Sequence, residues 1–207
     1  MATVPHLRDL IADADATDGV ARRRAGLEAA LAAIRAAMAT DDDLELRYLL
    51  GYATYLHPDR RASPALQAQL AQALEGVLAI DPRHAMARSY LGHDAYDRGA
   101  YDDAEARFRG IDPGALSPYL ALKHAEMIAC CALRLRPPGA CVHELEAFAE
   151  ACAHHEWHDI HPLNLYHLVR EVAAARGAAV FDPVRDWLAQ IDLAAEGDWF
   201  ASALEPG

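Results

Sequence analysis

Apolar residues recur at spacings of three and four along almost the whole chain, which is the period of an amphipathic helix. The pattern predicts helices at 6–14, 19–39, 43–56, 64–80, 83–98, 101–110, 117–135, 139–155, 162–176 and 183–203. Three of the helix starts place a capping oxygen directly before a proline, at Ser63-Pro64, Ser117-Pro118 and Asp182-Pro183. Short loops between helices of similar length predict antiparallel neighbours, and therefore stacked helical hairpins.

Composition favours the same fold class, because Ala and Leu dominate and only 7% of the residues are aromatic. The sequence therefore predicts an all-α protein. No linker rich in Gly, Ser and Pro interrupts it, so we expect a single domain over residues 1–207. The strongest break in the helical pattern is Pro137-Pro138-Gly139, which marks a turn and a candidate seam between subdomains.

An internal repeat is the most specific feature of the sequence. Residues 47–55 and 88–96 share the pattern R-x-x-L-G-x-x-x-Y, in which Leu50-Gly51 corresponds to Leu91-Gly92. Self-similarity of this kind indicates stacked supersecondary units. In each copy we expect the leucine to fill the groove between paired helices and the glycine to let the second helix approach closely.

The stretch from Leu78 to Ala85, followed by Leu91-Gly92 and by Gly99-Ala100-Tyr101, resembles the tetratricopeptide repeat. In that family a turn that ends in Pro leads into a helix with Leu-Gly, and a Gly-x-Tyr turn precedes the second helix. Ala104 and Phe108 match the packing positions of that second helix. The resemblance implies a tetratricopeptide-like α-α superhelix, with the best hairpins at about 44–113.

The resemblance also implies where a partner would bind. In this family the concave surface is lined by the first helix of each hairpin, which here carries Met86, Ser89, His93, Tyr96 and Asp97. The weaker first copy adds Tyr48, Tyr52 and Tyr55. Ser89 and His93 replace the lysine and asparagines of the family's carboxylate clamps. We therefore expect a groove lined by tyrosine and histidine, which suits a basic or amphipathic protein segment.

The formal net charge is −12, and Lys123 is the only lysine. This balance disfavours nucleic acid as a partner, because phosphate contacts need clustered Lys and Arg. It favours a basic protein partner, and it also keeps a small protein in solution. The start of the sequence lacks a secretory pattern and no window has about 18 uninterrupted apolar residues, so we expect a cytoplasmic protein without a membrane partner.

The segment from Cys152 to His161 is the richest in candidate metal ligands. His154 and His158 lie four residues apart and would share a helix face, with His155, Glu156, Asp159 and His161 close in sequence. This is not the HExxH motif of metalloproteases. A metal-dependent enzyme or metal-binding protein built on the His154–His161 cluster is the alternative to a binding module, and solvated histidines at a helix end are the simpler interpretation.

Other chemistry is poorly represented. The four cysteines form no CxxC pair and are expected to be reduced and packed as small hydrophobic residues. Cys141 and His143 point to different faces of a helix, which gives the thiol no local base. Phosphate loops, nucleophile elbows and kinase motifs are absent from the sequence, so we expect neither catalysis nor a cofactor.

These observations favour a non-enzymatic protein–protein interaction module of the immunity-protein, secretion-chaperone or adaptor type. Residue usage that is rich in Ala and Arg and poor in Lys resembles that of high-GC bacteria, which suggests the bacterial cytoplasm. A self-associating scaffold is a further alternative.

Overall fold

The computed structural model describes residues 3–154 and 161–205, and within these ranges the secondary structure is entirely helical. The α-helices are α1 (Val4–Asp15), α2 (Val20–Met38), α3 (Leu44–Leu56), α4 (Pro64–Ile80), α5 (Ala85–Asp97), α6 (Tyr101–Arg109), α7 (Pro118–Leu135), α8 (Val142–Ala153), α9 (Leu163–Arg176), α10 (Arg185–Ala194) and α11 (Trp199–Ala203). The predicted all-α class is confirmed for the described ranges. None of their helices has the length and apolar character that crossing a bilayer requires.

Side-chain caps fix several of the predicted helix starts. The Ser63 hydroxyl accepts from the N–H of Leu66 at 3.3 Å, and the Ser117 hydroxyl accepts from the N–H of Leu120 at 3.4 Å. Asp43 caps α3 in the same way, with its carboxylate 2.7 Å from the N–H of Leu46. These residues satisfy N–H groups that have no partner inside the first helical turn.

The third Pro-based start was wrong. Pro183 lies inside a 3-10 helix over Ala178–Val184, and α10 begins only at Arg185. The Asp182 carboxylate accepts from the Arg185 guanidinium at 2.7 Å and makes no cap. The predicted helix 183–203 is also interrupted after Ala194, where Glu196 adopts a positive φ of 49° that ends the helix.

The chain divides into two compact units, Met1–Ala100 and Tyr101–Gly207. We call them unit 1 and unit 2. The boundary falls within the Gly99-Ala100-Tyr101 turn of the best-matched repeat. The tetratricopeptide-like superhelix and the single domain over 1–207 stay predictions.

In unit 1, helices that follow one another in sequence also pack against one another. α1 packs on α2, α2 on α3, α3 on α4 and α4 on α5, and α3 also contacts both α1 and α5. Hydrophobic clusters of buried residues contribute to its core. One joins α1, α2 and α3 around Leu27 and Ile34, and another joins α4 and α5 around Leu74 and Leu91.

Gly51 of α3 lies in the contact between α3 and α4. A Cβ atom at this position would lie only 2.3 Å from Cδ2 of Leu74, which is fully buried. The close approach predicted for the glycine of the first repeat is therefore confirmed for Gly51. No larger residue fits unless Leu74 moves within a packed core.

Unit 2 is organised around α7, which packs against α6, α8 and α9. The fully buried carboxylate of Glu126 in α7 accepts from the N–H groups of Asn164 and Leu165 at 2.9 and 3.2 Å. Its second oxygen accepts from Lys123 Nζ at 2.7 Å. Glu126 of α7 thus caps the first turn of α9, and its negative charge lies at the positive end of the α9 helix dipole.

We expect Gly51→Ala to lower the free energy of unfolding by about 1–3 kcal/mol, because its methyl group overpacks the contact with Leu74. Gly76→Ala is the matched control. It is also inside a helix, but its Cβ would lie 3.3 Å from the end of the Arg47 side chain. This control should be neutral or stabilising by up to about 1 kcal/mol, as helix propensity dictates. Urea unfolding measures both, and equal effects would contradict the packing assignment.

Candidate functional site

Tyrosines from two helices of unit 1 form a continuous aromatic surface. Tyr48, Tyr52 and Tyr55 lie on one face of α3, where spacings of four and three residues bring side chains together. Tyr90 of α5 packs beside them. All four rings are half-buried, so they combine core contacts with an accessible edge. We call these four residues the tyrosine surface.

Tyr90 is the centre of this surface. Its ring centroid lies 5.2 Å from that of Tyr52, 4.7 Å from that of Tyr55 and 6.4 Å from that of Tyr48. Sequence reasoning missed Tyr90, because the internal repeat aligns it with the buried Leu49 and aligns Ser89 with Tyr48. The second copy thus carries its aromatic residue one position later than the first.

Two histidines flank the tyrosine surface. The imidazole centroid of His84 lies 4.8 Å from the ring of Tyr48, and that of His93 lies 6.1 Å from the ring of Tyr55. His84 also begins α5, because its Nδ1 accepts from the N–H of Ala87 at 3.1 Å. Of the predicted partner-binding residues, the structure therefore brings Tyr52, Tyr55 and His93 together.

The other predicted residues of α5 have different surroundings. Met86, Ser89 and Tyr96 are half-buried on that helix. Asp97 is engaged by two arginines of the turn that follows α3: Arg60 donates to one carboxylate oxygen at 2.5 Å, and Arg61 donates to the other at 2.9 Å. The charge of Asp97, which was predicted to contact a basic partner, is therefore already neutralised by these ion pairs.

Arg60 is the buried member of this network, with 5% of its surface exposed. Its guanidinium donates to Asp94 at 2.5 Å and to the backbone carbonyl of Tyr55 at 3.1 Å. Its Cζ atom also lies 4.7 Å from the ring centroid of Tyr55, which is a cation–π distance. Arg60 therefore links the end of α3 to α5 beneath the tyrosine surface.

The tyrosine hydroxyls remain protonated at neutral pH. Burial raises the pKa of Tyr48 to about 12, and burial also raises the pKa values of Tyr52, Tyr55 and Tyr90. Each phenol is thus uncharged and able to donate a hydrogen bond. The surface offers aromatic faces and neutral polar tips.

Of the predicted histidine cluster, only His154 and His161 lie among the described residues; His155, Glu156, His158 and Asp159 lie outside them. His154 Nδ1 is 2.7 Å from the carbonyl of Glu150, and the ring of His161 meets that of Trp199 edge-on at 5.7 Å. Within residues 3–154 and 161–205, no three His, Cys, Asp or Glu side chains are grouped so that they could hold a metal ion.

The four cysteines are free and buried, which confirms the predicted packing. Burial raises the pKa values of Cys131 and Cys152 to about 12, and it raises those of Cys130 and Cys141 as well. A thiol with a raised pKa is mostly protonated at neutral pH, and only the thiolate is a strong nucleophile.

Unit 2 contains a second surface that the sequence did not reveal, a groove of about 650 Å³. Four alanines of α7 and α8 line it, Ala121, Ala125, Ala147 and Ala151. The lining also contains larger apolar side chains and the polar residues Arg109, His124, His143, Glu144 and His154. We call it the alanine groove. Alanine carries no chemical signal and is common throughout this chain, so only the packing of α7 against α8 identifies these positions.

His124 lies in the wall of the alanine groove. Its Nε2 is 2.7 Å from the carbonyl of Phe108, so this nitrogen must carry the donated proton. In the neutral ring Nδ1 is then an acceptor, and the described part of the chain supplies no donor to it. Burial lowers the pKa of His124, which favours this neutral form.

A compact ion cluster borders the groove. Arg109 donates to Glu105 at 2.6 Å and to Glu144 at 2.5 Å, and Arg136 donates to the same two residues at 2.9 and 3.2 Å. The cluster holds two positive and two negative charges. Arg109 also lines the groove, but its charge is balanced by the two glutamates.

Comparison with models of protein families, with curated proteins and with solved structures gave no match to this chain. The resemblance to the tetratricopeptide repeat therefore stays a prediction from sequence. The functional assignment depends on the chemistry of the tyrosine surface and the alanine groove.

We expect Arg60→Met to lower the free energy of unfolding by about 3 kcal/mol, because it leaves the buried carboxylate of Asp94 with only the part-exposed Arg98 as an ion-pair partner. Arg61→Met is the matched control. The Arg61 side chain is 75% exposed, and an ion pair in solvent contributes at most about 1 kcal/mol. Urea unfolding measures the free energy of unfolding of both variants. Equal values for the two variants would show that water reaches Asp94 and replaces Arg60.

His124 should make the protein less stable in mild acid. Its pKa is lowered in the folded state, so between that value and the ordinary value of about 6.5 the unfolded chain binds more protons. The free energy of unfolding should therefore fall as the pH drops below about 7. His124→Gln keeps an N–H donor for Phe108 without titrating, so its pH dependence from 7.5 to 5.5 should be shallower. Parallel curves for the two proteins would show that His124 does not contribute.

Proposed function

We propose that this chain is a non-enzymatic protein-binding module that contacts its partner through the tyrosine surface of α3 and α5. The observation that carries the proposal is the side-by-side arrangement of four half-buried tyrosines from two helices. Tyrosine is enriched in protein interfaces and among the residues that dominate their binding energy. Its ring supplies apolar area, and its hydroxyl supplies a donor.

The rings are already ordered before a partner arrives. Mutual packing within 4.7–6.4 Å restrains them, and the Arg60 network fixes α5 against the end of α3. A partner would therefore lose less free energy in ordering side chains than it would on a surface of flexible residues. This favours specific binding over nonspecific adhesion.

The partner segment we propose is basic or amphipathic. Aromatic faces attract guanidinium and ammonium groups, and Arg60 over Tyr55 shows that these rings accept a cation. The net charge of −12 attracts such a segment from a distance. Immunity proteins, secretion chaperones and adaptors all act by binding of this kind, and we place the chain in this group, acting in the cytoplasm.

A photo-cross-linking phenylalanine analogue at position 52 tests which surface meets the partner. Expressed in the source cells, the Tyr52 derivative should give one dominant cross-linked protein. The same analogue at Ala68, an exposed position of α4, is the control and should not give it. Equal cross-linking at both positions would argue against the tyrosine surface.

Substitution should then weaken binding of the identified partner. We expect Tyr52→Ala to raise the Kd by about thirty-fold, the effect of losing about 2 kcal/mol at an interface hot spot. Tyr119→Ala removes a 43% exposed tyrosine of unit 2 and should leave the Kd unchanged. Calorimetry gives the Kd values, and circular dichroism must show that both variants keep their helices. An unchanged Kd for a folded Tyr52→Ala protein contradicts the proposal.

A further inference from the structure

The alanine groove has a length that suits a bound α-helix. Its α8 wall runs from His143 to His154, which is about 16 Å, or three turns, at 1.5 Å per residue. Small side chains on both walls allow an incoming helix to approach closely, because interhelical distance depends on the residues at the contact. Leu122 and Ile128 add larger apolar area on the α7 side.

The charge around the groove indicates which kind of helix fits. Glu146 and Glu150 lie on α8, next in sequence to the lining residues Ala147 and Ala151 but outside the lining itself. The cation that lines the groove, Arg109, is already held by Glu105 and Glu144. Residues 101–207 contain seventeen acidic and eight basic residues, so unit 2 carries −9 of the total charge of −12.

We propose that the alanine groove binds a basic amphipathic helix of a partner protein, about three turns long. Apolar side chains at spacings of three and four enter between α7 and α8, and Lys or Arg side chains at their edge face Glu146 and Glu150. This site is separate from the tyrosine surface and does not depend on it.

The test uses a designed 14-residue peptide with Leu at positions that repeat every three and four residues, Lys elsewhere, and a terminal fluorophore. A second peptide carries Glu in place of every Lys. Fluorescence anisotropy with the full chain should show saturable one-to-one binding of the Leu/Lys peptide. We expect the Leu/Glu peptide to bind at least about ten-fold more weakly, because unit 2 repels it.

Variants of α8 locate the bound peptide. Ala147 is exposed and lines the groove, so Ala147→Trp fills the groove without disturbing the core. It should raise the Kd of the Leu/Lys peptide by about ten-fold or more. Ala153→Trp introduces the same ring at an exposed position of α8 outside the groove lining and should leave the Kd within about two-fold.

A charge variant tests the electrostatic part of the proposal. Glu146→Gln combined with Glu150→Gln should weaken binding of the Leu/Lys peptide and reduce its dependence on salt concentration. Tyr52→Ala should leave peptide binding unchanged, so a failure of the tyrosine surface and a failure of the alanine groove give different results.

Several outcomes would overturn the proposal. Absent or unsaturable binding of the Leu/Lys peptide, equal affinity for the Leu/Glu peptide, or equal Kd values for Ala147→Trp and Ala153→Trp would each show that the groove does not take a basic helix. A wild-type dimer that Ala147→Trp dissociates would assign the groove to a second copy of the chain. A small apolar molecule extracted from the wild-type protein but not from Ala147→Trp would assign it to that molecule.

Discussion

The arrangement of α3 and α5 depends on one buried guanidinium. Arg60 is nearly inaccessible, and so is Asp94, to which it donates. An exchange of the whole network for apolar residues would often be nearly neutral, whereas loss of Arg60 alone leaves the buried Asp94 with only the part-exposed Arg98 as a partner. The network holds α5 against the turn after α3, and in this packing Tyr90 lies among the tyrosines of α3.

Unit 2 uses buried carboxylates in a related way. Glu126 accepts from the first N–H groups of α9, and Asp192 of α10 accepts from the N–H groups of Phe200 and Ala201 at the start of α11. Each acid is placed at the positive end of a helix dipole, where a negative charge is favoured even without water. The starts of α9 and α11 are thus determined by side chains from other helices.

This difference explains which parts of the fold the sequence predicted. Helix starts with a local cap, such as Ser63 and Ser117, were confirmed, because the capping oxygen lies next to the helix it begins. The start of α11 was not predicted, since its acceptor Asp192 lies in α10, whereas Asp198, directly before the helix, makes no side-chain cap. The period of the apolar residues does not distinguish one long helix over 183–203 from a 3-10 turn followed by two shorter helices.

The same argument applies to the candidate sites. Tyr52, Tyr55 and His93 were predicted from a repeat that assumes the same register in both copies, whereas Tyr90 enters the surface because α5 carries its aromatic residue one position later. The alanine groove has no signature at all, because a contact made by small residues depends on how α7 and α8 pack. Both the position of Tyr90 and the alanine groove are determined by tertiary packing, which the pattern of a single sequence does not show.

The two surfaces differ in the kind of interaction they offer. The tyrosine surface is uncharged, so the contacts that it makes with a partner are of short range and act mainly on the lifetime of a complex. The excess of acidic over basic residues lies mostly in unit 2, and Glu146 and Glu150 lie on α8, the helix that forms one wall of the groove. Charge of one sign around a binding site raises the rate of encounter with an oppositely charged partner and makes that rate sensitive to salt. On the proposed scheme, the salt dependence of association therefore arises chiefly at the alanine groove.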